Sequence, residues 1–220
     1  MSASLVHLVK PAVQQESAPV LLLLHGFGAN EHDLFELADE LDSRFTVVSV
    51  RAPLSLGNGG YVWFPIAFTD KGIKVLDTKS AVVSRDLILK FLDELPKLYA
   101  IDSKQIYLMG FSQGSSMAYS IALTEPEKIA GMVAMSGRLP DERLISMASV
   151  ARLKNLPVFV SHGLYDEILP IHNGRESEAR LRELQLNVSY KEYPMAHQVT
   201  AESLSDISNW LTEQLNQSQL

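Results

Sequence analysis

The chain predicts an α/β fold, with a mostly parallel central sheet, helices on both faces and no large cap. Three observations lead there. Strand-like and helix-like stretches alternate along all 220 residues without a break in composition. Val20–Leu24 is continuously apolar, as a strand covered on both faces must be. Gly110-Phe111-Ser112-Gln113-Gly114 joins an apolar β-type run, 105–109, to a helix-like run, 115–123. No repeat, low-complexity tract or linker interrupts the pattern, so residues 1–220 are expected to form a single domain.

Ser4 to Val9 alternates weakly and reads as an edge strand. Lys10 to Pro19 is polar and reads as a surface connection. Val20–Leu24 follows as a central strand. Asn30 is placed to cap the next helix, with Leu34, Leu37, Ala38 and Leu41 on its apolar side. Thr46–Val50 is a second buried strand. From Pro53 to Thr78 periodicity fails, in a stretch rich in glycine and aromatics; long loops of this kind are often functional. A helix is expected from Lys79 to Tyr99, with Val83, Leu87, Phe91, Leu95 and Leu98 facing inward, and Pro96 should kink it or split off its last turn. Beyond the Gly110–Gly114 turn, strands are expected at 129–135, 156–163 and 187–193. Helices are expected at 141–152, 173–184 and 201–215, the last capped by Thr200 with Leu204, Ile207, Leu211 and Leu215 as its buried stripe.

The composition excludes several classes. A net charge of −7 argues against a nucleic-acid partner, which needs a basic footprint. The chain has no cysteine, so disulfides, a thiol nucleophile and a cysteine-based zinc site are impossible. The N-terminal residues lack a basic segment followed by a long apolar core, and no apolar run is long enough to span a bilayer. A cytoplasmic enzyme without stable membrane insertion is the expectation; oligomeric state is not legible.

The chemistry centres on Ser112. A serine at the tip of a sharp strand-to-helix turn takes an unfavourable backbone conformation, and Gly110 and Gly114 remove side chains that would clash there. The helix that follows aims its amide-rich N-terminus at the same point. A serine hydroxyl is a weak nucleophile and needs a base, itself oriented by an acid. In this architecture acid and base lie on loops at the carboxyl ends of later strands. Of the six histidines, His197 alone follows the last strand and precedes the last helix. His25 and His162 end buried strands before a glycine and read as structural. Asp166 lies nearer its strand end than Glu167 and is the expected acid. A tetrahedral intermediate needs two backbone donors. The Gln113 amide follows the nucleophile, and the Phe27 amide lies on the glycine-bearing loop after the first central strand. Phe27, Trp63, Phe64 and Leu169 are candidates for the acyl pocket, on loops predicted to surround Ser112.

On these residues the chain resembles the phospholipase/carboxylesterase family of α/β-hydrolases, which includes small bacterial carboxylesterases and acyl-protein thioesterases. The matching pieces are Leu24-His25-Gly26-Phe27-Gly28, Gly59-Gly60-Tyr61, Trp63-Phe64, the Gly-Phe-Ser-Gln-Gly elbow, His162-Gly163 with Asp166 and Pro170, and His197. The resemblance implies a Ser112–Asp166–His197 triad, an oxyanion hole from the Phe27 and Gln113 amides, and cofactor-free hydrolysis of small carboxylic or thio esters with short to medium acyl chains. Two departures favour the bacterial esterases. Pro194 stands where glycine is common, and Phe-Gly-Ala-Asn-Glu-His-Asp follows Gly26 in place of the thioesterases' Leu-Gly-Asp-Thr-Gly. A lysophospholipase or protein-acyl thioesterase is the nearest alternative, and a non-catalytic binding protein on the same scaffold a more distant one. A serine peptidase on this fold often carries a cap or propeller, for which the chain has no room.

Overall fold

A computed structural model describes residues 3–14, 16–68, 74–141 and 146–218. In chain order the strands are β1 (His7–Lys10), β2 (Ala18–Leu24), β3 (Thr46–Val50), β4 (Leu54–Ser55), β5 (Tyr61–Val62), β6 (Ile66–Phe68), β7 (Lys74–Leu76), β8 (Ile101–Phe111), β9 (Gly131–Met135), β10 (Pro157–Gly163) and β11 (Asn187–Tyr193). The α-helices are α1 (Thr78–Leu98), α2 (Gln113–Thr124), α3 (Val150–Leu153), α4 (His172–Glu183) and α5 (Ala201–Gln217).

Seven strands form the central sheet in the order β1-β3-β2-β8-β9-β10-β11. Only β1, at the edge, runs antiparallel. The apolar runs explain the layering. Leu22 and Leu24 of β2 face a core shared with α1 and α2, whereas Leu21 and Leu23 face a second core closed by α5 and the 3-10 helix Leu34–Glu40. Each fully buried leucine contributes about 1.5–3 kcal/mol over an exposed one, which is why no polar residue interrupts the run. This is the mostly parallel α/β-hydrolase architecture, with no large cap among the described residues.

Several local expectations need correction. The first strand is His7–Lys10, shifted beyond Ser4–Val9 because only these residues pair with β3. Asn30 caps no helix. Its side-chain oxygen accepts from the His32 amide at 3.0 Å and its amide donates to Gly59 at 3.1 Å, so it builds a turn. The aperiodic stretch after Pro53 holds two small antiparallel hairpins, β4–β5 and β6–β7. On α1 the buried face is Ser84, Ile88, Phe91, Leu92 and Leu95, while Val83 is 59% exposed. The face is turned because the Ser84 hydroxyl donates to the Trp63 carbonyl at 2.5 Å. Pro96 lies inside the last turn of α1 and the helix continues to Leu98, closed by the Tyr99 amide on the Leu95 carbonyl. Of the helix expected over 141–152, α3 occupies Val150–Leu153, and residues 142–145 lie outside the described residues. The Thr200 cap is present, reciprocated by Ser203. No helix among the described residues is long and apolar enough to cross a membrane.

Candidate active site

Ser112 stands between β8 and α2 with φ 53° and ψ −111°, a region that L-residues avoid. Steric exclusion holds it there. A Cβ on Gly114 would overlap the Leu24 carbonyl oxygen, and one on Gly110 would overlap that of Gly114. The Ser112 amide donates to Met135 at 2.9 Å, tying the turn to the end of β9. Ser115, one turn into α2, is fully buried and donates its hydroxyl among the carbonyls of Gly110 (2.6 Å) and Met135 (2.9 Å).

β10 and β11 end side by side. A Cβ on Gly163 would overlap the Met195 and Ala196 carbonyls, so glycine permits the approach of the two following loops. His197 Nδ1 lies 2.7 Å from Asp166 Oδ2, and His197 Nε2 lies 2.9 Å from Ser112 Oγ. An ionised carboxylate only accepts, so Nδ1 carries the proton, Nε2 is left as acceptor, and the Ser112 hydroxyl donates to it. The other oxygen of Asp166 accepts from the Ile168 amide at 2.9 Å and the Leu169 amide at 2.8 Å. The Asp166 side chain is fully enclosed, and Glu167 beside it is exposed. Phe111 packs its ring 4.9 Å from that of His197.

The two remaining candidates of the histidine set are structural. Buried His25 accepts the Ala52 amide at Nε2 (3.0 Å) and donates from Nδ1 to the Gly26 carbonyl (2.7 Å). Burial pulls its pKa below the usual imidazole value, which keeps this neutral tautomer. Buried His162 donates from Nε2 to the Leu169 carbonyl at 2.7 Å, bracing the Asp166 loop from below.

The Phe27 amide is placed by its loop. Gly28 donates to Tyr61 at 2.9 Å and Tyr61 returns a bond to Ala29 at 2.8 Å. Arg51 pairs with buried Glu31 and lies 4.7 Å over the Tyr61 ring, clamping the same loop. The amides of Phe27 and Gln113 have no hydrogen-bond acceptor among the described residues. The Gln113 side chain accepts from the Trp63 amide at 2.8 Å and donates to the Phe64 carbonyl at 2.7 Å.

A cleft of about 540 Å³ opens over Ser112 and His197. Phe64 and Leu169 line it, as do Phe27, Ile66, Leu76 and Ile168. Trp63 does not. It is fully buried, donates from its indole to the His25 carbonyl at 2.9 Å and props up the wall from behind. Also unread in the sequence, beside Ile66, Leu76 and Ile168, were the Gln113 side chain and Arg138, which lines the cleft too. Arg138 follows the end of β9, and the carboxyl ends of parallel strands are where such sheets place ligand contacts. No group of three His, Asp or Glu residues suited to a metal occurs among the described residues. The arrangement offers a hydroxyl with a neutral imidazole acceptor, a buried carboxylate behind it and two unengaged amides beside it.

Residues 8–215 match the family described as Phospholipase/Carboxylesterase. The chain belongs to this family of hydrolases. Acyl-protein thioesterase 1 of Kluyveromyces lactis is 31% identical over 221 residues, covering 91% of this chain and 94% of the relative. The crystal structure of the Bacillus cereus carboxylesterase superposes with a TM-score of 0.82 at 30% identity, over 96% of this chain and 94% of that one. That of esterase PE8 superposes with a TM-score of 0.83 at 25% identity, over 95% and 98%. Relatives named as a thioesterase and as a carboxylesterase thus match this chain at 31% and 30% identity.

Proposed function

We propose that this chain is a serine esterase acting on small carboxylic esters through an acyl-enzyme. The observation that carries the reading is the continuous hydrogen-bond chain Asp166–His197–Ser112 at the floor of an apolar cleft. Ser112 Oγ attacks the acyl carbonyl carbon while His197 Nε2 takes its proton. Negative charge on the former carbonyl oxygen is received by the Phe27 and Gln113 amides; losing one such donor typically costs about 3–4 kcal/mol. The intermediate collapses, His197 protonates the departing alcohol, and a water activated by the same imidazole then releases the acid. Asp166 fixes the imidazole's tautomer and stabilises the imidazolium.

The cleft's size suits short to medium acyl chains. A second reading, protein-acyl thioesterase or lysophospholipase, draws on the thioesterase relatives and on an adjoining apolar groove of about 330 Å³ lined by Ala81, Val82 and Met117. A series of esters and thioesters from acetyl to palmitoyl separates the two.

The deciding experiment is hydrolysis of p-nitrophenyl acetate, butyrate and octanoate by wild type and Ser112→Ala, together with an active-site serine label read by intact mass. Activity and a single label should both vanish in the variant. A folded wild type with neither would sink the proposal and leave a binding protein on a hydrolase scaffold.

A further inference from the structure

Arg138 is the exception among the described arginines of this protein. The seven others described each hold a carboxylate. Arg138 makes no ion pair among the described residues, although the chain has 26 acidic residues against 19 basic ones. Among the described residues it is also the only basic side chain besides His197 that lines the Ser112 cleft.

Its backbone is fixed. Ser136 takes a φ of 47° and donates its amide to Ser161 at 2.9 Å. A Cβ on Gly137 would overlap the Ser115 side chain, so the strand end presses directly on the elbow helix. The Ser116 hydroxyl donates to the Arg138 carbonyl at 2.9 Å, and the Leu139 amide donates to Ser177 at 3.2 Å. The guanidinium therefore projects from an anchored residue whose neighbours also position the nucleophile.

We propose that Arg138 receives an anionic group, in its simplest form a carboxylate, carried by the ester substrate, and so sets specificity for the reaction at Ser112. The inference rests on the hydrolase reading of that site. The guanidinium offers a planar fork of donors that matches a carboxylate or phosphate. Phe64 and Leu76 wall the space beside it and keep water from one side, which strengthens a charge-assisted bond. Among the described residues Asp33 is the one carboxylate lining the cleft, and it does not line the adjoining groove that Arg138 also lines. Glu176 and Asp141 border an outer hollow with Arg138. The guanidinium stays available to a ligand.

The test compares two matched ester pairs. Ethyl hexanoate against monoethyl adipate places the charge on the acyl half. Phenyl butyrate against 4-butyryloxybenzoate places it on the leaving group. Wild type should favour the anionic member of one pair, mainly through KM, and the pair that responds identifies the half that meets Arg138. Arg138→Ala and Arg138→Met should each reduce that preference by about 10- to 100-fold, and Arg138→Lys should restore part of it. Raising salt should weaken the wild-type preference, since the group is open to solvent on its outer side. Thermal melts of each variant guard against misfolding. Absence of an anionic preference in wild type, or a preference that both Arg138→Ala and Arg138→Met leave intact, would overturn the inference. A folded wild type inert toward every ester would instead overturn the hydrolase reading.

Discussion

At the elbow, Ser112 is held by backbone sterics. Its φ of 53° is maintained by glycines packed against carbonyl oxygens, with nothing soft between them. At the ends of β10 and β11, Asp166 and His197 are held differently. Two amides grip one Asp166 oxygen, the imidazole grips the other, and His162 ties the same loop from beneath. The elbow stores strain to present a small hydroxyl at a fixed point. The partner loops use relaxed, directional bonds to aim a ring. Damage to the first should therefore be all-or-none in folding, and damage to the second should be graded and visible in rate.

The largest effect expected is on rate. Asp166→Asn keeps the two amide bonds but presents an N–H to His197 Nδ1, favouring the wrong tautomer. The loss in kcat should be on the order of 10⁴-fold with the melting temperature nearly unchanged. A parallel loss of folding would show that this loop, too, is held by packing. Gly114→Ala comes next. Its methyl must displace the Leu24 backbone, at a cost of about 4 kcal/mol or more, and urea titration should find little folded protein. Gln113→Ala orphans the Trp63 amide and the Phe64 carbonyl at about 1–3 kcal/mol each, again read by urea titration. Ser112→Gly should abolish activity yet stabilise the fold by about 1 kcal/mol, because glycine takes positive φ without strain. A destabilised Ser112→Gly would mean the elbow is not strained, and the contrast drawn above would fall.

The smallest effect is in pH. His25 is neutral when folded because burial lowers its pKa, whereas in the unfolded chain it protonates near its ordinary value. The unfolded state therefore binds the extra proton. This contribution is fully present above about pH 6.5 and is lost as pH falls through the lower folded value. Denaturation midpoints measured from pH 7 to 5 should decline less steeply in His25→Gln than in wild type.

The sheet and the convergence of Ser112, Asp166 and His197 were legible because chain order and strand ends constrain both. What escaped the sequence was decided by hydrogen bonds that hydropathy does not record. Ser84 rather than Val83 turns inward on α1 because its hydroxyl has a carbonyl to satisfy. Trp63 and Phe64 are adjacent aromatics, and residue type alone does not say that one becomes a buried post and the other a cleft wall. Asn30 has the composition of a helix cap, but its side chain is taken by the turn it forms with Gly59. Arg138 could not be told from the other arginines by residue type, because its lack of a carboxylate partner among the described residues exists only in three dimensions.

The two hydrogen bonds that the Gln113 side chain makes, accepting from the Trp63 amide and donating to the Phe64 carbonyl, have a consequence for protein engineering. The residue that directly follows Ser112 also rivets the chain just before β6. Beyond that rivet the Asp77 amide donates to the Pro65 carbonyl at 3.1 Å, closing the base of the β6–β7 hairpin. Ile66 and Leu76, on its two strands, line the cleft. Substitutions at these two positions can reshape the cleft wall while the anchoring at Trp63 and Phe64 stays constant, which makes them the place to graft new acyl selectivity.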